Sequence, residues 1–327
     1  MDRGKIPDLA ARDNKIYVDL KDIIKENVLP FLPAKSVVKF RAVCRDWRFQ
    51  ISAPLFAHDQ SLSCHSTSGI FIQIHRGSPS LIPIDSNSCG VPDPILSFLP
   101  EPVDIKSSSN GLLCCRGREG DKVYYICNPF TKQWKELPKS NANHGSVPAI
   151  VLLVEPSLLN FVAEYKIICA FPSTDFGRYA LEIEQYFVYW MTTDNILAFD
   201  LTKERSQLLQ SYDTHGFLGT FSGKLCKVDV TGNRILLNIL ANTHSNTMQM
   251  GSQIKMWSEK QTVVLDSEIV GDVTRNYSVL HVDSDIMVAR CGGRTYSYDF
   301  KSCATKFLSS EVGIRRCFPY VNSLVSL

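Results

Sequence analysis

Residues 16–56 read IYVDLKDIIKENVLPFLPAKSVVKFRAVCRDWRFQISAPLF, the one region of the chain whose apolar pattern is helical throughout. Leu20, Ile23, Ile24, Val28 and Leu29 recur at spacings of three to five and lay an apolar stripe along a first helix, which Pro30 and Pro33 bring to an end. A second helix is expected to start afresh after Leu32-Pro33, near Ser36. On it Val37, Phe40, Val43, Cys44 and Trp47 fall at i, i+3, i+6, i+7 and i+10 and share one apolar face. Lys35, Lys39, Arg41, Arg45 and Arg48 lie mainly on the other side as a basic flank. Pro54 is expected to close the segment.

A module of this size buries little surface on its own, and domains so small usually rely on a metal, disulfides or a partner. The region carries no metal or disulfide pattern. Two readings remain: the helices pack on the rest of the chain, or a partner protein completes their core. An apolar face uncovered on a small helical module is an interface in waiting, and the basic flank suits an acidic partner.

From about residue 69 the pattern changes to short β-type runs: GIFIQIH, GLLCCRG, KVYYICN, AIVLLVE, EYKIICAF, NILAFDL, RILLNIL, IKMWS, TVVLDS, SVLHVD, DIMVARC and RTYSYDF. Turn residues separate nearly all of them, which argues for an all-β body, either a propeller or a large sandwich. Three stretches favour the propeller. YYICNPFTKQWKELP, ILAFDLTKERSQLL and TYSYDFKSCATKFL each run strand, polar turn, strand, like one hairpin of a blade. Asn128, Asp200 and Asp299 mark their turns at separations of 72 and 99 residues, so no fixed period survives.

Composition sets the outer limits. At 327 residues, 44% hydrophobic and 21% charged, the chain suits a short module joined to one larger globular body. A net charge of +2 provides no global field for nucleic acid or an anionic membrane. The opening MDRGKIPDLAARDNK lacks a signal-peptide core, and no stretch offers the run of apolar residues a membrane helix needs, so a cytosolic or nuclear location is expected. The sequon Asn276-Tyr277-Ser278 carries no meaning without secretion. Eleven cysteines are scattered without paired spacing and are expected as free, buried thiols. Cys114 and Cys115 alternate across a strand, which sends their sulfurs to opposite faces.

Nothing announces catalysis: GxSxG, HExxH, a Walker loop and paired CxxC are all missing. Gly216, Gly219 and Gly223 read as turns. His58, Cys64 and His65 come nearest to a metal cluster but read as a surface loop joining the two parts of the chain. Trp134, Trp190 and Trp257 are expected in structural roles in the β core. No cofactor and no metal are expected.

The string FLPAKSVVKFRAVCRDWRFQISAPLF at 31–56 resembles the core of an F-box, a pattern written LPxKSLxRFxxVCKxW. That resemblance implies binding to a small acidic Skp-type adaptor and through it to a cullin scaffold carrying the ubiquitin-conjugating machinery. It puts Leu20, Leu29, Leu32, Pro33, Val37, Phe40, Val43, Cys44 and Trp47 at positions used for the adaptor contact or for the module's own core, without dividing them between the two. The usual opening Leu-Pro is Leu20-Lys21 here, which loses the proline pre-set for a first helical turn.

SSNGLLCCRG, YYICNPFTKQWKELP, EYKIICAF, NILAFDLTKE, RTYSYDF and the terminal FPYVNSLVSL resemble, in order, the F-box associated domain of plants, which implies a kelch-like β-propeller presenting a target-binding surface. The expectation is therefore a mainly β chain with a small helical module: a tail at 1–15, an F-box at 16–60 and a propeller at 61–327. Some 30 residues are missing relative to this family around LEIEQYFVYWMTTDNILAFDL, where Tyr186 runs straight into Phe187. One blade is expected to be incomplete there, with a partly exposed edge. The function implied is that of a non-catalytic, target-recognising subunit of a ubiquitin ligase. A scaffold or inhibitor that binds without degradation, and a propeller that binds a sugar or small molecule, stand as alternatives. The target is unknown, and the polar stretches 139–148 and 241–253 are the places to look for its contacts.

Overall fold

The computed structural model describes residues 20–327 apart from 65–66, 75–76, 85–89, 121–122, 140–148, 157–162, 171–179, 185–186, 192–194, 204, 211–215, 232–233, 241–256, 271–276 and 312. The N-terminal tail, His65, the sequon's Asn276 and almost all of the two polar stretches lie outside the described residues.

Helix α1 spans Leu20–Asn27, a 3-10 turn spans Leu29–Phe31, and three helices follow: α2 Ala34–Phe40, α3 Arg45–Ile51 and α4 Pro54–Ser63. The single helix expected through Trp47 is two helices. The chain leaves helical geometry after Phe40, and Cys44, fully extended, accepts the Trp47 amide on its Sγ as the cap of α3. Pro54 opens α4 instead of closing the segment, because the fixed φ and missing N–H of proline suit the first helical position. Leu29, Val37, Ile51 and Phe56 form the buried centre of the four helices, with Ile24, Leu32, Phe40 and Trp47 packed around them. Phe40 and Trp47 meet edge to face at 5.7 Å. Lys25 ties α1 to α3 through Asp46.

The β body begins with β1 (Gly69–Ile74) and β2 (Pro79–Pro83). Then come β3 (Val103–Ser109), β4 (Leu112–Gly117), β5 (Tyr124–Asn128) and β6 (Gln133–Glu136), followed by β7 (Ala149–Pro156) and β8 (Ala163–Ala170). The third group is β9 (Ala180–Glu184), β10 (Phe187–Met191), β11 (Asn195–Asp200) and β12 (Arg205–Gln210). The fourth is β13 (Phe217–Phe221), β14 (Lys224–Thr231), β15 (Arg234–Leu240) and β16 (Trp257–Val264). After a short α5 (Ser267–Val270) come β17 (Ser278–Val282), β18 (Ile286–Cys291), β19 (Arg294–Asp299), β20 (Ala304–Ser309) and finally β21 (Ile314–Tyr320). Eleven of the twelve β-type runs fall on strands, and of IKMWS the described residues, Trp257 and Ser258, open the strand β16 that also holds the start of TVVLDS.

Each consecutive group of four pairs antiparallel, β7 pairs with β8 alone, and β21 returns to join β1 and β2. Inner strands touch in the cyclic order β3, β7, β9, β13, β17, β21 and back to β3, so the sheets close into a propeller ring. Among the described residues five blades have three or four strands and the β7–β8 blade has two. Every interface between neighbouring blades has its own buried apolar cluster, from Phe71, Val103, Leu113 and Tyr320 at the closure to Val228, Leu237, Met287 and Tyr296 opposite. The thinnest lies between β7–β8 and β9–β12, where Val151 and Val188 are the fully buried members among the described residues.

The incomplete blade is thus present but displaced. Around Tyr186–Phe187 the sheet β9–β12 is complete, since β9 pairs with β10 and takes the inner position against β7 and β13. The deficit falls on the preceding blade. There β8 is half-buried or exposed from Glu164 to Cys169, whereas its counterparts β4 and β18 are almost wholly buried.

The three hairpin echoes have one physical cause. Asn128, Asp200 and Asp299 end the third strand of their blades, and each Oδ1 accepts two amides of the following turn: Phe130 and Thr131, Thr202 and Lys203, Lys301 and Ser302. Ser302, through its amide and hydroxyl, holds the Asp299 carboxyl below the usual carboxylate range. A depressed folded-state pKa adds stability that is present above the unfolded value of about 3.9 and is lost as pH falls below it. Asp299→Asn keeps the acceptor and is expected to change stability at neutral pH by less than about 0.5 kcal/mol while flattening the acid limb of a pH–stability curve. Asp299→Ala is expected to cost about 1 kcal/mol at neutral pH. Chemical denaturation across pH checks both.

Candidate functional site

The nine sequence-selected residues of the helical module fall into three groups. Leu29 and Val37 are fully buried. Leu32, Pro33, Phe40 and Trp47 are half-buried. Leu20, Val43 and Cys44 are exposed, Leu20 at 68% and Val43 at 60%. The break after Phe40 explains Val43 and Cys44: on one continuous helix they would have shared the buried stripe, but the turn between α2 and α3 carries them outside it.

Apolar side chains that the sequence did not single out as site residues join the exposed set. Phe31 is 59% exposed and Phe49, on α3, 81%. Ile23 and Val28 also face solvent. Fully exposed Phe and Leu on a module whose own core contains four buried side chains is a marked imbalance. Periodicity gave no sign of it, because a stripe that faces a core and one that faces a partner look alike in sequence.

The charge around this surface is positive. Residues 20–63 carry seven Lys and Arg against four Asp and Glu, a net of +3 where the whole chain carries +2. Lys39, Arg41, Arg45 and Arg48 are all exposed. The module can therefore attract an acidic, partly apolar surface.

Other candidates lie elsewhere. His58 and Cys64 are buried on α4 and its C-cap rather than in a surface loop, and His58 Nδ1 lies 3.2 Å from the Asp59 carboxylate. No group of three metal-ligating side chains occurs among the described residues. Cys114 and Cys115 do point to opposite sides, one into the cluster shared with β7 and the other into that shared with β1 and β21. Burial pushes the Cys114 thiol up, and a hydrogen bond with Cys127 together with burial does the same for Cys115, so neither is primed as a thiolate. Trp257 packs in a blade interface as expected, but Trp134 is 41% exposed on the outer strand β6, edge to face with Tyr125. Trp190 lies on β10. Gly223 sits in a turn at φ +70° and Gly216 in a bend, whereas Gly219 lies within strand β13. No helix among the described residues is long and apolar enough to cross a membrane.

Residues 93–195 match the family model described as F-box protein At3g26010-like, beta-propeller. The chain is 34% identical over 128 residues to F-box protein At5g49610 of Arabidopsis thaliana, covering 39% of this chain and 35% of that one. It is 22% identical over 284 residues to F-box protein At3g26010 of the same plant, covering 71% and 64%. With the putative F-box/kelch-repeat protein At4g22430, also from Arabidopsis, it shares 23% over 175 residues, covering 48% and 39%. The matched stretches thus span between about a third and two thirds of these relatives' own lengths. The chain is similar to plant F-box proteins with a C-terminal propeller.

Proposed function

We propose that this chain is the target-recognition subunit of a ubiquitin ligase of the Skp-adaptor, cullin and F-box type. A helical module at 16–60 docks the adaptor, and the propeller at 61–327 holds a target protein. The observation that carries the reading is the set of exposed apolar side chains on the helices, Leu20, Phe31, Val43 and Phe49 above all, bordered by exposed Lys39, Arg41, Arg45 and Arg48. Covering such side chains contributes of the order of 1.5–3 kcal/mol each before the costs of association are subtracted. The basic border steers an acidic partner and sets its orientation.

The chain's own part is non-catalytic. It brings a target close to a charged conjugating enzyme, so that an encounter in solution becomes a tethered one at an effective concentration that reaches roughly mM with suitable geometry.

Capture of a purified Skp-type adaptor by the full chain tests the reading. The expected result is a stable complex at physiological salt whose affinity falls as salt rises, because part of the attraction is between exposed charges. A folded chain that captures no adaptor would overturn it.

A further inference from the structure

The last residues, Val321–Leu327, follow the final strand and belong to no sheet, yet most of their backbone is held. The Asn322 amide donates to Ser68 Oγ at 3.1 Å, in the linker between the helices and the propeller, and the Ser68 amide donates to Tyr320 O at 2.8 Å. Asn128 Nδ2 donates to both Ser323 O at 3.0 Å and Val325 O at 2.9 Å. The Leu327 amide donates to Gln133 Oε1 at 3.2 Å. Val325 and Leu327 enter the apolar cluster between β3–β6 and β7–β8. Leu324, one residue earlier, packs instead into the core of the helical module. Among the described residues it is the one member of that cluster from outside residues 20–63.

Two features of the propeller suit this segment. The hairpin-turn residue is aspartate in two of the three equivalent places, Asp200 and Asp299, but asparagine in the third. Only Asn128 faces two carbonyl oxygens of the terminal segment, and a carboxylate there has no proton to donate. Its amide therefore caps the turn with one end and grips the segment with the other. Gly111, at φ +81° in the Asn-Gly turn between β3 and β4, is the second. A Cβ there would meet Val321 O at 2.9 Å and collide with the Ser323 side chain.

We propose that Val321–Leu327 is an internal dock that fixes the helical module to the propeller, with Leu324 and Asn128 as its positioning residues. The inference rests on the adaptor and target reading above for its purpose: the dock sets the distance and angle between the adaptor and the bound target. Without it, the two halves are joined by the linker at 64–68 and become free to swing.

The test is small-angle scattering and amide exchange on the free full chain, so that it does not depend on adaptor capture. The variants are Leu324→Ser and Asn128→Asp, with Asp200→Asn as the control at an equivalent turn. Leu324→Ser and Asn128→Asp are expected to broaden the interatomic distance distribution and lengthen its maximum. Exchange at Val325 and Leu327 should rise by about tenfold or more in Asn128→Asp, as for a segment released from its native hydrogen bonds. The Asp200→Asn protein should scatter like the wild type. Adaptor capture by Leu324→Ser should stay within about twofold, since Leu324 lies on the propeller side of the module. Should Asn128→Asp fail to fold, Leu324→Ser decides alone, because it removes one half-buried side chain from the end of the chain. Unchanged scattering in Leu324→Ser would overturn the proposal. Lost adaptor capture with unchanged scattering would also overturn it, by placing Leu324 in the adaptor surface.

Discussion

Leu29→Ala is expected to unfold the N-terminal helices and leave the propeller standing. Leu29 is 1% exposed at the centre of the module, against Val37, Ile51 and Phe56. Truncating a buried leucine costs about 2–5 kcal/mol, the lost transfer energy plus the cavity left behind. A helical module of this size with a single small core holds only about 3–5 kcal/mol in total, so one substitution consumes most of it. The propeller has a separate apolar cluster at every blade interface, and among the described residues Leu324 is its one member in the apolar core of the module. Amide exchange read peptide by peptide checks this: residues 20–63 should lose protection while β13–β20 retain it. Persistent protection across both halves would show that the module draws more stability from the propeller than its contacts account for.

Gly219→Val is expected to have the reverse effect, damaging the ring and sparing the helices. Gly219 lies on the inner strand β13, and a Cβ there would sit 2.8 Å from Val282 O on β17 and closer still to Val282 Cγ1. The obstruction includes backbone of the next blade, which cannot swing aside as a side-chain tip can. Overpacking of this kind costs about 2–3 kcal/mol, and here the strain falls on a seam that must close for the ring to close. A drop in the thermal midpoint of the β signal of about 4–12 °C is expected, at about 2–4 °C per kcal/mol for a domain of this size. An unchanged midpoint would mean that β13 and β17 are not packed as described.

Much of this architecture was legible in the sequence, for identifiable reasons. The strand runs are dense in Val, Ile, Leu and Tyr, and each falls on a strand wherever its residues are described, apart from the last residues of TVVLDS. The hairpin echoes were readable because Asn128, Asp200 and Asp299 use the same side-chain oxygen in the same way. What escaped were strands without an apolar signature. Polar β3, VDIKSSS, alternates burial with side chains that say nothing of strand, whereas exposed β6 was legible only as the second arm of its hairpin. Gly219 was taken as a turn residue because glycine signals turns, when here it marks a close approach of two strands.

At the candidate site the residue set was visible and its division was not. A regular apolar spacing from Val37 to Trp47 suggested one helix, but Cys44 prefers an extended cap whose Sγ accepts the Trp47 amide, and the helix breaks. That local event moves Val43 from core to surface. Likewise, which blade is short could not be read from the gap before Phe187, because β9 pairs with β10 there and the two-stranded blade among the described residues is β7–β8.

The contrast between Val43 and Leu29 tests the central claim, that exposed apolar residues of the helices form the adaptor contact, most directly. The measurement is the affinity of the full chain for a purified Skp-type adaptor, wild type against Val43→Asp, with amide exchange of residues 20–63 recorded on the same samples. Val43→Asp is expected to keep wild-type protection and lose at least about thirtyfold in affinity, a cost of about 2 kcal/mol that marks a central contact residue. Equal affinity in a folded Val43→Asp protein would contradict the account, because the surface it assigns to the adaptor would then lie elsewhere.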